Sequence, residues 1–189
     1  NGNGYSDEWL AEAERRGLPN IKSMVEAVET LTTDKAVKLF EKFGIFTKAE
    51  LESREEILYE TYAKTINIEA LTMINMASKQ ILPAVIKYTK TLADTVVAVR
   101  EAGAAADVQA DLLKEASTLL EEAKKALEVL KREDTKAASM PQGKEQAFYY
   151  KDAVKEAMTA LRTPIDALEM IVDKEAWPLP AYGDLMFEV

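Results

Sequence analysis

The chain has 189 residues, 48% of them hydrophobic and 30% charged, with only 7 glycines and 6 prolines, which fits one domain or one with an extension and excludes wholesale disorder. A formal charge of −9 sets it against phosphate backbones and anionic lipid, so neither nucleic acid nor a membrane is expected as partner. With no cysteine and no histidine, disulfides, thiolate nucleophiles, zinc–sulfur sites and the commonest general base are all excluded.

From the N-terminus, Ser6 is placed to cap a short helix running to Arg16, with Asp7 and Glu8 near its positive end and Gly17 and Pro19 to stop it. Ser23 and Glu26 have capping-box spacing, and Thr33 offers an N-cap to a helix that carries Val37, Phe40 and Phe43 and ends at Gly44. Residues 1–46 therefore read as short helices forming a connector that packs on the long helices beyond it. Thr47 and Glu50 form another capping box, and from 48 to about 102 only Pro83 interrupts helix-forming sequence.

Along that rod an apolar stripe, from Tyr62, Ile66, Ala70 and Met73 through Ala77, Ile81, Val85 and Tyr88 to Leu92, Val96 and Val99, recurs at three- and four-residue steps. A second stripe of Tyr59, Ile68, Leu71, Ile74 and Leu82 predicts that the first half is covered on more than one side. The main stripe keeps phase across Pro83, which predicts a kink rather than a break. Helices at about 107–133 and 144–174 carry coiled-coil seams, the first through Leu112, Ala116, Leu119, Ala123, Ala126 and Leu130, with Leu113, Leu120 and Leu127 widening it. The second runs through Val154, Met158, Leu161, Ile165, Leu168 and Val172, with a bend expected at Pro164. A loop at 134–143 reverses the chain between them, so the fold class is all-α: long antiparallel helices in a coiled-coil-like up-down bundle over 47–175.

The tail, 176–189, reads as a different kind of sequence, extended and non-helical because of Pro178, Pro180 and Gly183. Its bulky apolar side chains, Trp177, Leu179, Tyr182, Leu185, Met186 and Phe187, are the candidate docking residues. Acidic groups such as Glu50, Glu52, Glu55 and Glu56, or Glu121 and Glu122, could in principle act as metal ligands or acid/base pairs. Helical spacing of Glu121 to Lys125 and of Glu128 to Arg132 reads instead as a solvated, charge-laced face. Asn67, Glu69 and Asn75 fall amid the double stripe, where a polar side chain needs a partner, so interhelical hydrogen bonding is expected there. No apolar run approaches the ~20 residues of a membrane span and no signal peptide opens the chain, so a cytoplasmic setting is expected. The opening Asn-Gly-Asn-Gly lacks an initiator methionine, which reads as a cut from a longer protein.

The run Tyr-Ala-Lys-Thr-Ile-Asn-Ile-Glu-Ala-Leu-Thr-Met at 62–73 resembles the C-terminal region of type III glutamine synthetases, and so does the ending Trp-Pro-Leu-Pro-Ala-Tyr-Gly-Asp-Leu-Met-Phe at 177–187. Asn-Gly-Tyr-Ser-Asp-Glu-Trp at 3–9, Arg-Arg-Gly-Leu-Pro-Asn at 15–20 and Leu-Phe-Glu-Lys-Phe-Gly-Ile-Phe-Thr at 39–47 are similar to the same stretch. The resemblance implies a parent enzyme that joins ammonia to glutamate with ATP and a divalent metal, magnesium, and works as a large ring-shaped homo-oligomer. It also implies that the catalytic glutamates, the ATP-binding residues and the phosphate-binding arginines belong to a β-rich core with a Phe-Glu-Phe-Arg-like stretch. No such stretch occurs here, so no catalytic, cofactor-binding or metal-binding residue is carried over, and the isolated chain is expected to be inactive. Its expected partners are the rest of the parent chain and neighbouring subunits. A stand-alone coiled-coil interaction module is the alternative, and a magnesium-dependent helical-bundle enzyme would require facing, unpaired acids in the core.

Overall fold

The computed structural model describes residues 3–187, the side chain of Tyr182 excepted, and every regular element among them is helical. The chain divides into two units, residues 1–62 and 63–189.

In the first unit α1 (Asp7–Arg15), α2 (Met24–Val28) and α3 (Asp34–Lys42) each start at the hydroxyl the sequence offers. Ser6 Oγ accepts from the Trp9 N–H at 3.3 Å, Ser23 Oγ from the Glu26 N–H at 3.3 Å and Thr33 Oγ1 from the Ala36 N–H at 3.4 Å. Caps of this kind contribute about 1 kcal/mol each, which matters for helices too short to persist alone. A 3₁₀ turn, Glu29–Thr32, links α2 to α3. Gly44 follows α3 at φ +62°, a left-handed conformation that lets its N–H return to the Glu41 carbonyl at 3.0 Å. Helix α4 (Lys48–Met76) then opens on a reciprocal capping box, the Glu50 N–H reaching Thr47 Oγ1 at 3.3 Å and the Thr47 N–H reaching Glu50 Oε2 at 2.7 Å. Val25, Val28, Val37, Leu51 and Tyr59 are the buried apolar residues of this unit.

The second unit takes over α4 at residue 63 and continues through a π-helical turn, Ala77–Ile81, into α5 (Leu82–Glu101). The expected disturbance at Pro83 is thus resolved one turn upstream. The Leu82 N–H reaches back five residues to the Ala77 carbonyl, and the widened turn leaves Pro83 in the first turn of a new α-helix, where its missing N–H is not needed. Gly103, at φ +80°, turns the chain into α6 (Asp107–Ala138), and a second reversal leads to α7 (Lys144–Tyr149). A second π-turn, Tyr150–Val154, joins α7 to α8 (Lys155–Ile171). Helix α6 packs against both α5 and α8 in the up-down manner expected.

The seams close as the periodicity predicted, with refinements. Ile66, Ala70, Ala77, Ile81, Val85, Leu92 and Val96 are buried along the first rod, and Ala116, Ala123, Leu127 and Leu130 along α6. On the last helix the innermost line is Val154, Ala157, Leu161, Pro164 and Leu168, while Met158 and Ile165 flank it half-buried. Pro164 lies inside α8, which continues to Ile171. Each large apolar side chain so buried contributes roughly 1.5–3 kcal/mol.

Several expectations are corrected. Residues 134–138 belong to α6 rather than to a loop, because Asp134 and Ala137 continue its buried seam. The second stripe is not covered throughout, since Ile68 and Leu71 are exposed. Glu69 and Asn75 are exposed as well and need no buried partner. The tail is not wholly extended, because α9 (Tyr182–Phe187) forms after Pro180, where neither proline stands in its hydrogen-bond ladder. No described helix is long and apolar enough to cross a membrane.

Candidate functional site

Several polar side chains that enter the interior of the second unit fasten helix ends and junctions. Asn67 Nδ2 donates to Asp134 Oδ1 at 3.0 Å, the interhelical bond expected of Asn67, with a partner that lies beyond the predicted helix. Buried Gln146 donates its amide to the carbonyls of Ala137, at 3.0 Å, and Met140, at 3.3 Å, which closes the C-terminal end of α6. The Tyr88 hydroxyl does the same for α8, donating to the Ile171 carbonyl at 3.0 Å. Tyr149 donates to Glu133 at 2.6 Å, and with Arg132 this holds the Glu133 carboxyl below its ordinary range.

The acids that might have formed a metal site are engaged locally. Glu50 completes the α4 cap, and its carboxyl is lowered by the Thr47 N–H and hydroxyl. Glu121 faces Lys125 at 3.7 Å as the spacing predicted, whereas Glu128 takes Lys124 and Lys131, leaving Arg132 to pair with Glu133. Among the described residues no group of three or more acidic side chains could hold a metal ion. The acids singled out in the sequence are therefore not gathered into a ligand set for a divalent metal.

The segment after α8 is the remaining candidate. Val172 is buried and extended, and Asp173 then folds the chain back, its carbonyl accepting from the Trp177 N–H at 2.9 Å. Trp177 and Leu179 are half-buried, and the root of the tail borders a shallow groove whose other wall is Lys79, Gln80, Pro83, Ala84 and Lys87. The Trp177 indole N–H is buried without a hydrogen-bond partner among the described residues. Helix α9 is tied back by one residue: Asp184 accepts from Lys174 Nζ at 2.6 Å and from the Ala181 N–H at 2.8 Å. The Lys174 ammonium, and then that N–H, hold the Asp184 carboxyl below its ordinary range. Leu185, Met186 and Phe187 are 68%, 70% and 79% exposed. The six docking candidates thus separate into Trp177 and Leu179 on the chain's own surface and Leu185, Met186 and Phe187 facing outward. The side chain of Tyr182 lies outside the described residues.

Asp184 and Lys174 were missed in the sequence, although an acid three residues after Ala181 is the reciprocal half of a capping box and could have signalled a helix start there. Asp134 was hidden by the loop-like composition just after it, with Pro141 and Gly143 close by.

Fold and site together define an all-α bundle domain that presents an apolar C-terminal helix. A family model described as the glutamine synthetase C-terminal domain matches residues 1–100. The chain belongs to that family, as the motifs at 62–73 and at the two ends anticipated. It is 37% identical over 191 residues to a glutamine synthetase of Butyrivibrio fibrisolvens, covering 100% of this chain and 27% of the relative. Over 99% of the chain it is 32% identical to a type-3 glutamine synthetase of Dictyostelium discoideum, and over 98% it is 33% identical to a glutamine synthetase of Bacteroides fragilis, in each case 26% of the relative. The chain therefore spans about a quarter of the length of these curated relatives.

Proposed function

We propose that this chain acts as the C-terminal assembly domain of a glutamine synthetase, with ATP, magnesium and the ligation of ammonia to glutamate handled by a catalytic core outside it. The carrying observation is α9: three large apolar side chains stand exposed on a short helix that Lys174 and Asp184 hold in place. Desolvating such anchors is how docking interfaces gain most of their free energy. Their partner is the remainder of the same polypeptide or a neighbouring subunit of a homo-oligomer, in a cytoplasmic enzyme.

The test is made in the full-length enzyme. Replacing Leu185, Met186 and Phe187 by serine, or deleting residues 177–189, should reduce the assembly by size-exclusion chromatography and light scattering while helix content persists. An unchanged assembly, or helix loss in place of dissociation, would remove the reading. Exposed Ile68 and Leu71 favour a second reading, an independent helix-pairing module; it predicts that the chain alone self-associates and that Leu71→Ser abolishes this, with no dependence on α9.

A further inference from the structure

We propose that Asn67 and Asp134 form a proton-controlled latch between α4 and α6, beside the second π-turn, closed when Asp134 is a neutral acid and loosened when it is ionised. The latch rests first on geometry. Asp134 is 5% exposed and Tyr150 is 2% exposed, and Asn67 donates to Asp134 Oδ1 at 3.0 Å. Among the described residues no cation pairs with Asp134, because the charged groups nearby are engaged elsewhere. On its own helix Lys131 turns to Glu128, Arg132 to Glu133, and Lys136 lies over the Tyr149 ring at 4.8 Å. From the π-turn Lys151 pairs with Asp152. Asn67, which α4 contributes, is neutral, and from α5, α7 and α8 no titratable group among the described residues is hydrogen-bonded or ion-paired to Asp134.

A buried carboxylate held by one amide and no cation favours its neutral form. Burial pushes the Asp134 carboxyl above its ordinary range, with the Asn67 bond opposing only in part. Burial, and then the Asp134 charge, raise the Tyr150 phenol, which keeps it neutral. As an acid Asp134 gains an O–H to donate inside the junction, and as an anion it repels electron-rich oxygens there. Because its folded pKa exceeds the unfolded value near 3.8, the folded state binds the extra proton in the interval above that value. Stability from this group is therefore full below the unfolded pKa and is lost as pH rises through the folded one.

Carbon-13 NMR titration of the Asp134 carboxyl, together with amide exchange between pH 4.5 and 8, tests the latch in the full chain. The carboxyl midpoint should lie clearly above the ordinary aspartate range. Protection factors at residues 130–137 should fall by up to about tenfold per pH unit within the titration window, while those at 161–168 hold steady. Asp134→Asn, neutral and nearly isosteric, should keep protection at its low-pH level throughout. An ordinary midpoint, or an equal decline in the variant, would overturn the proposal. The titration of the unaltered chain decides the matter even where the variant does not fold.

Discussion

Gln146 and Asn67 show how single polar side chains set geometry in an interior that is otherwise apolar. Gln146 adds a side-chain donor at the end of α6, where the Ala137 carbonyl also accepts the Met140 N–H at 3.2 Å, so Gln146→Ala should strand chiefly the part-buried Met140 carbonyl. A loss of about 1–3 kcal/mol is expected, read as a lower urea midpoint at constant m-value. Gln146→Leu should do no better, since the cost lies in the lost donor and not in lost volume. Asn67 was conspicuous in the sequence because an amide amid Ile66, Ala70 and Met73 has to find a partner. The partner was not legible, since Asp134 lies four residues past the last strong apolar position of α6 and just ahead of glycine and proline. Only the folded backbone shows that the helix continues far enough to bring the two together.

Helices were readable wherever period and punctuation agreed. Serine and threonine caps, glycine stops and three-to-four spacing located the starts and the buried faces, since the same hydrogen-bond demands operate in any chain. The π-turns were not readable, because a widened turn changes which residues share a face without changing composition. Their consequence is specific for Pro83, which would cost about 3 kcal/mol in an uninterrupted helix interior. Sitting in the first turn of α5 behind the π-turn, it avoids most of that cost. Pro83→Ala should therefore shift stability by less than about 1 kcal/mol, measured by chemical denaturation; a gain near the full interior penalty would show that the ring is strained where it sits. Helix α9 escapes a composition-based reading for a related reason: prolines upstream suggest that helix is barred, whereas they bar it only within the ladder they interrupt.

For the whole molecule, family and bundle were legible, because two unusual motifs and long regular seams survive in sequence. The outward presentation of α9 was not, since it depends on how Lys174 and Asp184 meet across ten positions of chain. Asp184→Ala should free α9 from its root, so that limited proteolysis cuts after Leu185 or Phe187 while the bundle stays resistant, and assembly of the full-length enzyme should weaken in step. Because Lys174 and the Ala181 N–H hold the Asp184 carboxyl low, the clasp should persist above the ordinary aspartate pKa near 3.8. Acid should release it only as pH falls below that value, through the depressed pKa. Strong salt should also weaken it, since the pair is solvent-exposed on the lysine side.

The widened turns at Ala77–Ile81 and Tyr150–Val154 also bear on how this lineage can change length. Removing one amino acid from an ordinary helix rotates everything beyond it by about 100°, turning the greasy side toward water. At a widened turn the surplus residue is already present, so its loss would merely tighten the spiral and leave downstream faces aimed as before. Single-residue deletions scanned along the second unit should therefore be borne at these two places and be ruinous in the middle of α6, and homologues lacking a residue should lack it there.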